Sequence, residues 1–258
     1  MKGERVIHTV ALMKPLAIIL HASGSNRDQD AAQALELAGA EARIVHVNAL
    51  RRGDQKLGAA QMLVLPGGFS YADALGAGRL MALDLQTYLA DQLNEFVAAG
   101  KPVIGMCNGF QALVKADILP AWSDQPRAAS LTNNERGSFY CGWVTLRPEP
   151  SSVCLWTRNL TESIECPVAH GEGRFTLCDS AQLDTLRSNG QIALTYVNGT
   201  NPNGSIADIA GICNEAGNVL GLMPHPEDHI YAWQHPHYTR NGGSGLALAL
   251  FKAGVNAA

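Results

Sequence analysis

The chain has 258 residues, enough for one large domain or two small ones with a sizeable core. Hydrophobic residues make up 47% and charged residues 16%, a balance that excludes a disordered chain. The formal net charge of -4 offers no basic face for nucleic acid, and no apolar run reaches the roughly 18 residues needed to cross a membrane.

The N-terminal stretch begins with basic residues and continues with apolar ones, as secretory signals do. Lys14 and Pro15 interrupt the apolar run, so we predict a short extension over residues 1–14 and a single domain over residues 15–258. The six cysteines form no C-x-x-C pair, which argues against a zinc knuckle or a thioredoxin-type redox motif. Free thiols are typical of cytoplasmic proteins, and we expect a cytoplasmic location.

Strand-like and helix-like segments alternate through the first half of the chain. Continuous apolar runs predict strands, and apolar residues that recur at helical spacing predict helices. This alternation implies crossover connections, so we predict the α/β class, with an open, mostly parallel sheet and helices on both faces. In chain order the segments are a strand over 15–22, a helix over 25–40, strands over 41–50 and 61–68, a helix over 79–100, a strand over 101–106 and a helix over 108–119.

The middle of the chain has a different character. Residues 137–160 and 165–180 are richer in aromatic residues, prolines and short β-like runs, which predicts a β-rich insertion. No linker is long enough to indicate a domain boundary. The remaining predicted segments are strands over 191–198, 205–214 and 218–225 and a last helix over 244–255.

Cys107 lies between two glycines, in the pattern G-x-C-x-G, where the strand over 101–106 meets its helix. In open α/β sheets, ligands bind at the carboxyl ends of the strands. The pattern is similar to the G-x-S-x-G nucleophile elbow, and Gly105 and Gly109 leave room for such a turn. The helix N-terminus favours a thiolate, and the backbone N–H of Asn108 is free to meet an oxyanion. A small buried structural cysteine is the alternative.

His225 and Glu227 follow another apolar strand, within the stretch GLMPHPED. In extended backbone, residues i and i+2 face the same way, so the carboxylate would hold one ring nitrogen while the other faces the thiol. Pro224 and Pro226 favour the extended backbone that this arrangement needs. A surface turn is the alternative, but the elbow elsewhere in the chain favours the catalytic interpretation.

Gly67 and Gly68 follow the strand over 61–68, so their amides can approach a substrate closely. We predict that they complete an oxyanion hole with Asn108, and a plain β-turn is the alternative. A phosphate loop is excluded, because G-x-x-x-x-G-K-[ST] occurs nowhere in the chain.

Taken together, these stretches resemble the class I, or triad, glutamine amidotransferases, a family with a flavodoxin-like fold. Within that family the chain is most similar to the glutaminase subunits of phosphoribosylformylglycinamidine synthases, which act in de novo purine biosynthesis. The resemblance extends over residues 15–227. It is carried by the motifs PGGFSYADALGAG, CNGFQ, PVAHGEGRF, NPNGS and AGICNEAGNVLGLMPHPE.

The resemblance implies a catalytic triad of Cys107, His225 and Glu227. It also implies an oxyanion hole formed by the amides near Gly68 and Asn108. We expect no metal among these site residues.

Substrate contacts are implied in two further places. Gln111, beside the elbow, is expected to help hold the substrate glutamine. The family's N-x-S-G-R-F stretch lies near the glutamine site and reads NERGSF here, so Asn134 and Phe139 are the implied contacts. Arg136 and Ser138 depart from the family at the serine and arginine positions.

Two other stretches depart from the family. GDYLRAG reads ADALGAG here, over residues 72–78, and we expect this stretch to shape the site or a subunit contact. The tail after Glu227 is long and contains His229, His235 and His237. Their spacing gives no regular helical pair and Pro236 breaks any helix, so we do not predict a metal site there.

By resemblance, the chain hydrolyses glutamine and passes ammonia to a large synthetase subunit, with a small subunit bridging the two. The chain has no ATP-binding motif, so no cofactor is expected in it, and ATP and Mg²⁺ are expected on the synthetase. The synthetase would convert formylglycinamide ribonucleotide to formylglycinamidine ribonucleotide. Neither nucleic acid nor a membrane is an expected partner. The alternatives are a γ-glutamyl hydrolase or another cysteine hydrolase on the same fold, and a non-catalytic relative that binds a partner and senses oxidation through Cys107.

Overall fold

The computed structural model describes residues 13–122, 124–197, 199–240 and 244–258. The predicted N-terminal extension therefore lies almost wholly outside the described residues. The strands are β1 (Leu16–His21), β2 (Glu41–His46), β3 (Met62–Leu65), β4 (Val103–Met106), β5 (Ala129–Thr132), β6 (Tyr140–Pro148), β7 (Ile164–His170), β8 (Arg174–Leu177), β9 (Ile192–Tyr196), β10 (Ile209–Cys213) and β11 (Val219–Leu222). The α-helices are α1 (Asp28–Ala38), α2 (Val47–Arg51), α3 (Arg79–Thr87), α4 (Ala90–Ala98), α5 (Asn108–Lys115), α6 (Ala181–Ser188) and α7 (Leu248–Asn256).

Within the described residues, a nine-stranded sheet has the order β2-β1-β3-β4-β11-β10-β9-β6-β7, and β5 and β8 form a separate pair. The strands from β2 to β11 in this order are parallel, and helices α1 to α4 lie in the connections between β1 and β4. The strands from β11 to β7 are antiparallel. The α/β fold predicted from the sequence is confirmed, and the β-rich middle of the chain extends the sheet on its antiparallel side.

The core lies on both faces of the sheet, because successive side chains of a strand point to opposite faces. In β1, Ile18 and Leu20 belong to one buried cluster, whereas Ala17 and Ile19 belong to the other. Helices α3, α4 and α5 contribute to the first cluster, and α1 and α7 contribute to the second. None of the described helices has the length and apolar character of a membrane span.

Several predicted segments are wrong in their extent, such as the strand predicted over 205–214, which begins at Ile209 after a turn of 3₁₀ helix. The strand predicted over 41–50 ends at His46, whose ring accepts a hydrogen bond from the Asn48 amide and so begins α2. The helix predicted over 79–100 is two helices, since Tyr88 and Leu89 interrupt it. The apolar spacing continues through the break, because Leu89 stays fully buried, and the sequence pattern therefore does not reveal it.

Candidate active site

The predicted elbow is a turn made by one residue. Strand β4 ends at Met106 and α5 begins at Asn108, which leaves Cys107 between them with φ 48° and ψ -104°. Residues other than glycine rarely adopt this backbone conformation, and such backbone strain is concentrated at functional sites. A Cβ added at Gly109 would lie 2.0 Å from the Leu65 carbonyl oxygen, so the turn packs too tightly for any other residue there. The G-x-C-x-G pattern thus has a steric cause in this fold.

His225 and Glu227 lie beside the elbow because β4 and β11 are neighbouring parallel strands with their carboxyl ends at one sheet edge. His225 Nδ1 is 2.8 Å from Glu227 Oε1, and Glu227 is fully buried. The backbone between them is not extended as predicted, because Pro226–Asp228 form a turn of 3₁₀ helix. The pairing predicted from the sequence is present, but a tight turn produces it.

The charge balance at His225 favours the imidazolium. Burial alone would lower the pKa of His225, but the negative charges of Glu227 and Cys107, with hydrogen bonds to both, raise that pKa well above its ordinary value. A protonated imidazole between a carboxylate and a sulfur is the arrangement that keeps a cysteine nucleophile ready at neutral pH.

The Cys107 sulfur lies between two cavities and is 3.7 Å from the Ala169 carbonyl oxygen. The smaller cavity has a volume of about 140 Å³ and is lined in part by Gln111 and Phe139. The larger cavity has a volume of about 590 Å³ and is lined in part by His225. A substrate in the smaller cavity would therefore meet the thiol on one side and leave the imidazole side open for water and product.

The two predicted oxyanion glycines are packed closely against the site. A Cβ at Gly67 would lie 2.5 Å from His225 Cε1, so only glycine leaves the ring in place. Gly68 has φ 132° and lines both cavities. Asn108 begins α5, and the first N–H groups of a helix have no partner within it. The oxyanion-hole role of these groups stays a prediction.

The side chain of Asn108 has a role that the sequence analysis did not anticipate. Its Oδ1 accepts hydrogen bonds from the amide and hydroxyl of Ser70, and its Nδ2 donates to Asp73 Oδ1 at 3.0 Å and to Gln111 Oε1 at 3.1 Å. The segment it holds contains three consecutive residues with left-handed φ, Tyr71 to Asp73. Asn108 therefore ties a strained loop to the elbow. A polar residue next to the nucleophile was the only sequence signal for this.

Asn134 supports the cavity wall from behind. Its Nδ2 donates to the carbonyl oxygens of Ser138 and His170, and its Oδ1 accepts from the His170 ring and from the Gly173 amide. These bonds use both donors and both acceptor sites of the amide. The amide of Asn134 thus has its hydrogen bonds within the chain, and its predicted contact with glutamine stays a prediction. Phe139 lines the smaller cavity.

Two further residues, one that lines the smaller cavity and one behind its lining, were not predicted as site residues. His170 is buried, and burial together with the nearby charge of His225 lowers the pKa of His170 to about 4, so its ring is neutral. Asn203 donates to the Gly173 carbonyl oxygen at 2.9 Å. The two lie in the motifs PVAHGEGRF and NPNGS, which were the available signals.

The histidine-rich tail forms part of the wall of the larger cavity. His229 bonds the Glu165 carbonyl oxygen, and His235 lies 3.3 Å from the Glu165 carboxylate. Both rings contact Trp143 edge-on. The remaining nitrogen of His235 accepts the His237 amide, so the three histidines do not converge on one point.

One group among the described residues brings three potential metal-ligand atoms within 4.8 Å of one another. It consists of His225, Glu227 and Asp228, and so overlaps the predicted triad. The roles predicted for His225 and Glu227 from the sequence involve no metal, and the absence of a metal here stays a prediction.

A family model described as the CobB/CobQ-like glutamine amidotransferase domain matches residues 14–256. The chain is 52% identical over 268 residues to the phosphoribosylformylglycinamidine synthase subunit PurQ of Treponema denticola, with 95% of this chain and 99% of the relative covered. It is 38% identical over 248 residues to the subunit of the same name from Dehalococcoides mccartyi, with 92% and 96% covered.

Solved structures give a matching result. A chain in the structure of PurLQS from Thermotoga maritima has a TM-score of 0.75 and 34% identity, with 95% of this chain and 99% of that chain covered. A glutamine amidotransferase from Thermotoga maritima has a TM-score of 0.54 at 15% identity, which supports the fold alone. With a family model that spans nearly the whole chain and relatives of this similarity, the chain belongs to the CobB/CobQ-like glutamine amidotransferase family.

Proposed function

We propose that this chain hydrolyses glutamine to glutamate and ammonia with Cys107, His225 and Glu227, and supplies the ammonia to a phosphoribosylformylglycinamidine synthetase. The observation that carries the proposal is the thiol on a strained elbow, next to a buried histidine whose Nδ1 is 2.8 Å from a buried glutamate. The family membership and the names of the relatives support the same activity.

The first half-reaction forms a thioester. The Cys107 thiolate attacks the side-chain amide carbon of glutamine, and the amides near Gly68 and Asn108 stabilise the oxyanion. The His225 imidazolium gives its proton to the amide nitrogen, the carbon–nitrogen bond breaks, and ammonia leaves. Glu227 keeps the ring oriented and stabilises its positive charge.

The second half-reaction restores the enzyme. Neutral His225 takes a proton from a water molecule, whose oxygen attacks the thioester carbon. The carbon–sulfur bond then breaks, the thiolate of Cys107 is regenerated beside the imidazolium, and glutamate leaves after its new carboxyl group loses a proton to solvent.

The ammonia is expected to be used by another subunit. It contains no ATP-binding motif, so an ATP-driven amidation requires a partner. The relatives are named subunits of phosphoribosylformylglycinamidine synthase, and the similar solved chain is part of PurLQS. We therefore propose a large synthetase subunit that binds ATP and Mg²⁺, a small bridging subunit, and a cytoplasmic location for the complex, which suits six free cysteines.

The test combines a variant with a mixing experiment. Cys107→Ala is expected to abolish glutamine hydrolysis while the chain stays folded, and Cys178→Ala, at an exposed cysteine, is the matched control that retains activity. Adding the synthetase should make formylglycinamidine ribonucleotide formation depend on glutamine. Undiminished glutaminase turnover in Cys107→Ala contradicts the catalytic assignment. Synthesis without any partner contradicts the division between subunits, and cleavage of glutamyl peptides in place of glutamine favours the γ-glutamyl hydrolase alternative.

A further inference from the structure

We propose that the carboxylate of Glu172 binds the α-ammonium group of the substrate and so makes the site selective for an α-amino acid amide. This inference rests on the proposed glutamine hydrolysis. It concerns the part of the substrate that does not react, and it assigns a selectivity role to a residue outside the triad.

Glu172 lies between β7 and β8, in the wall of the smaller cavity that also contains Cys107 and Gln111. Its backbone carbonyl oxygen accepts a hydrogen bond from Gln111 Nε2 at 2.8 Å. The adjacent Gly173 is held by Asn134 and Asn203. The backbone of Glu172 is therefore held on two sides, and this fixes where its side chain begins beside the cavity.

The carboxylate of Glu172 has unused hydrogen-bonding capacity. Its Oε1 accepts the Ala77 amide at 3.3 Å, and its Oε2 lies 3.3 Å from Lys115 Nζ. An ionised carboxylate offers about four acceptor positions, and the two contacts present are long for charged groups. With 31% of the side chain exposed, the remaining positions are accessible to a ligand in the cavity.

The charges around the smaller cavity favour a cation at this end. Its described lining residues include the carboxylates of Asp73 and Glu172 and neither lysine nor arginine. Asp73 is already bonded to the Asn108 side chain, and burial, with the negative charge of Glu172 among the further causes, raises the pKa of Asp73. Lys115 also donates to the Ala77 carbonyl oxygen, so its ammonium group is not bonded to Glu172 alone. Glu172 is thus the freer of the two acidic groups.

The size of the cavity agrees with a small zwitterionic ligand. About 140 Å³ lies below the roughly 300–1,000 Å³ typical of sites for drug-sized molecules. A charged hydrogen bond contributes about 1.5–3 kcal/mol, which corresponds to roughly 10- to 150-fold in affinity. A site built around such a bond discriminates against an analogue that lacks the bonding group.

The experiment compares glutamine with 4-carbamoylbutanoate, which has the same reacting amide but no α-amino group. The kcat/KM of ammonia release is measured for both substrates with the full chain, alone and with its synthetase subunits. Glu172→Gln is expected to lower kcat/KM for glutamine about 30-fold, mainly through KM, and to leave the analogue almost unchanged. Glu36→Gln, at an exposed glutamate on α1, is the matched control with wild-type values for both.

Lys115→Met separates recognition from a structural role. It removes the ion pair with Glu172 but leaves the carboxylate, so the preference for glutamine should persist. If Lys115→Met loses this preference as Glu172→Gln does, or if Glu172→Gln slows both substrates equally, the carboxylate acts by holding the loop and the proposal is wrong.

The affinity for glutamine can also be measured in variants that have little turnover. In the Cys107→Ala chain, calorimetry should give a glutamine Kd that rises about 30-fold when Glu172→Gln is added, with no change for the analogue. If Glu172→Gln does not fold, Glu172→Asp retains the charge and should show an intermediate preference. A preference for glutamine equal to wild type in Glu172→Gln overturns this inference alone, whereas a wild-type chain that hydrolyses neither substrate overturns the proposed function and the inference with it.

Discussion

His225 Nδ1 lies 2.8 Å from Glu227 Oε1 across a turn of 3₁₀ helix, and neither residue is appreciably exposed. Glu227 Oε2 has no hydrogen-bond partner among the described residues. A buried carboxylate with one oxygen unpaired is costly unless a cation is adjacent. The imidazolium of His225 provides that cation, so the two residues stabilise each other's charged forms.

Replacing Glu227 with Gln should slow glutamine hydrolysis about 10²-fold, less than the loss of the thiol, because a neutral amide does not stabilise the imidazolium. Glu227 raises the pKa of His225, so its removal lowers that pKa. The alkaline limb of the kcat profile should move to lower pH, since the proton needed by the departing nitrogen is lost earlier. The measurement is kcat against pH, with Glu162→Gln, an exposed change, as control. Rates and a profile equal to wild type would refute the orienting role.

Replacing Asn108 with Ala should lower both stability and activity. The buried Ser70 amide loses its acceptor, at a cost of about 1–3 kcal/mol in the free energy of unfolding, and the strained loop loses its tie to the elbow. We expect kcat/KM for glutamine to fall about 10-fold or more, since misplacement of a site by 1 Å is sufficient for a larger loss. Urea unfolding and glutaminase kinetics are the measurements, with Asn256→Ala as the exposed control. Unchanged kinetics in a destabilised Asn108→Ala chain would limit the side chain to a structural role.

Replacing Asp228 with Asn should stabilise the chain at alkaline pH. Burial and the negative charge of Glu227 raise the pKa of Asp228 from an ordinary 3.8 to about 6. The folded state therefore binds this proton more tightly than the unfolded state, and the ionised carboxylate costs stability above pH 6. Below the ordinary pKa both states are protonated and the cost vanishes.

For Asp228→Asn we expect a gain of about 1–3 kcal/mol in the free energy of unfolding at pH 8, which shrinks to zero towards pH 4. Denaturant unfolding across this range measures it. Asp184→Asn, where the side chain is 83% exposed, should show no such dependence. A variant less stable than wild type at pH 8 would mean that the contact of Asp228 with Arg27, at 3.6 Å, outweighs the burial cost.

The sequence by itself determined the local parts of the site. The strand that ends at Met106 and the glycines beside Cys107 are encoded by short stretches of sequence. The steric demands of a single turn explain why glycine is needed there. The pairing of His225 with Glu227 was also predictable from a spacing of two, although the backbone between them is not extended. The family motifs added the link between elbow and base, which are 118 positions apart in sequence and have no local pattern in common.

Only the tertiary structure decided how the rest of the site is held. The adjacency of β4 and β11 brings Cys107 and His225 together, and strand order is set by how helices cover the sheet. The bonds of Asn108 to the strained loop, and those of Asn134 behind the cavity wall, join side chains that lie far apart in the chain. The sequence does not show whether an amide side chain faces substrate, a loop or solvent. Its hydrogen-bond partners are brought to it only when distant segments of the chain pack together. Sequence therefore indicated the groups that we propose carry the chemistry, and packing decided which polar groups position them.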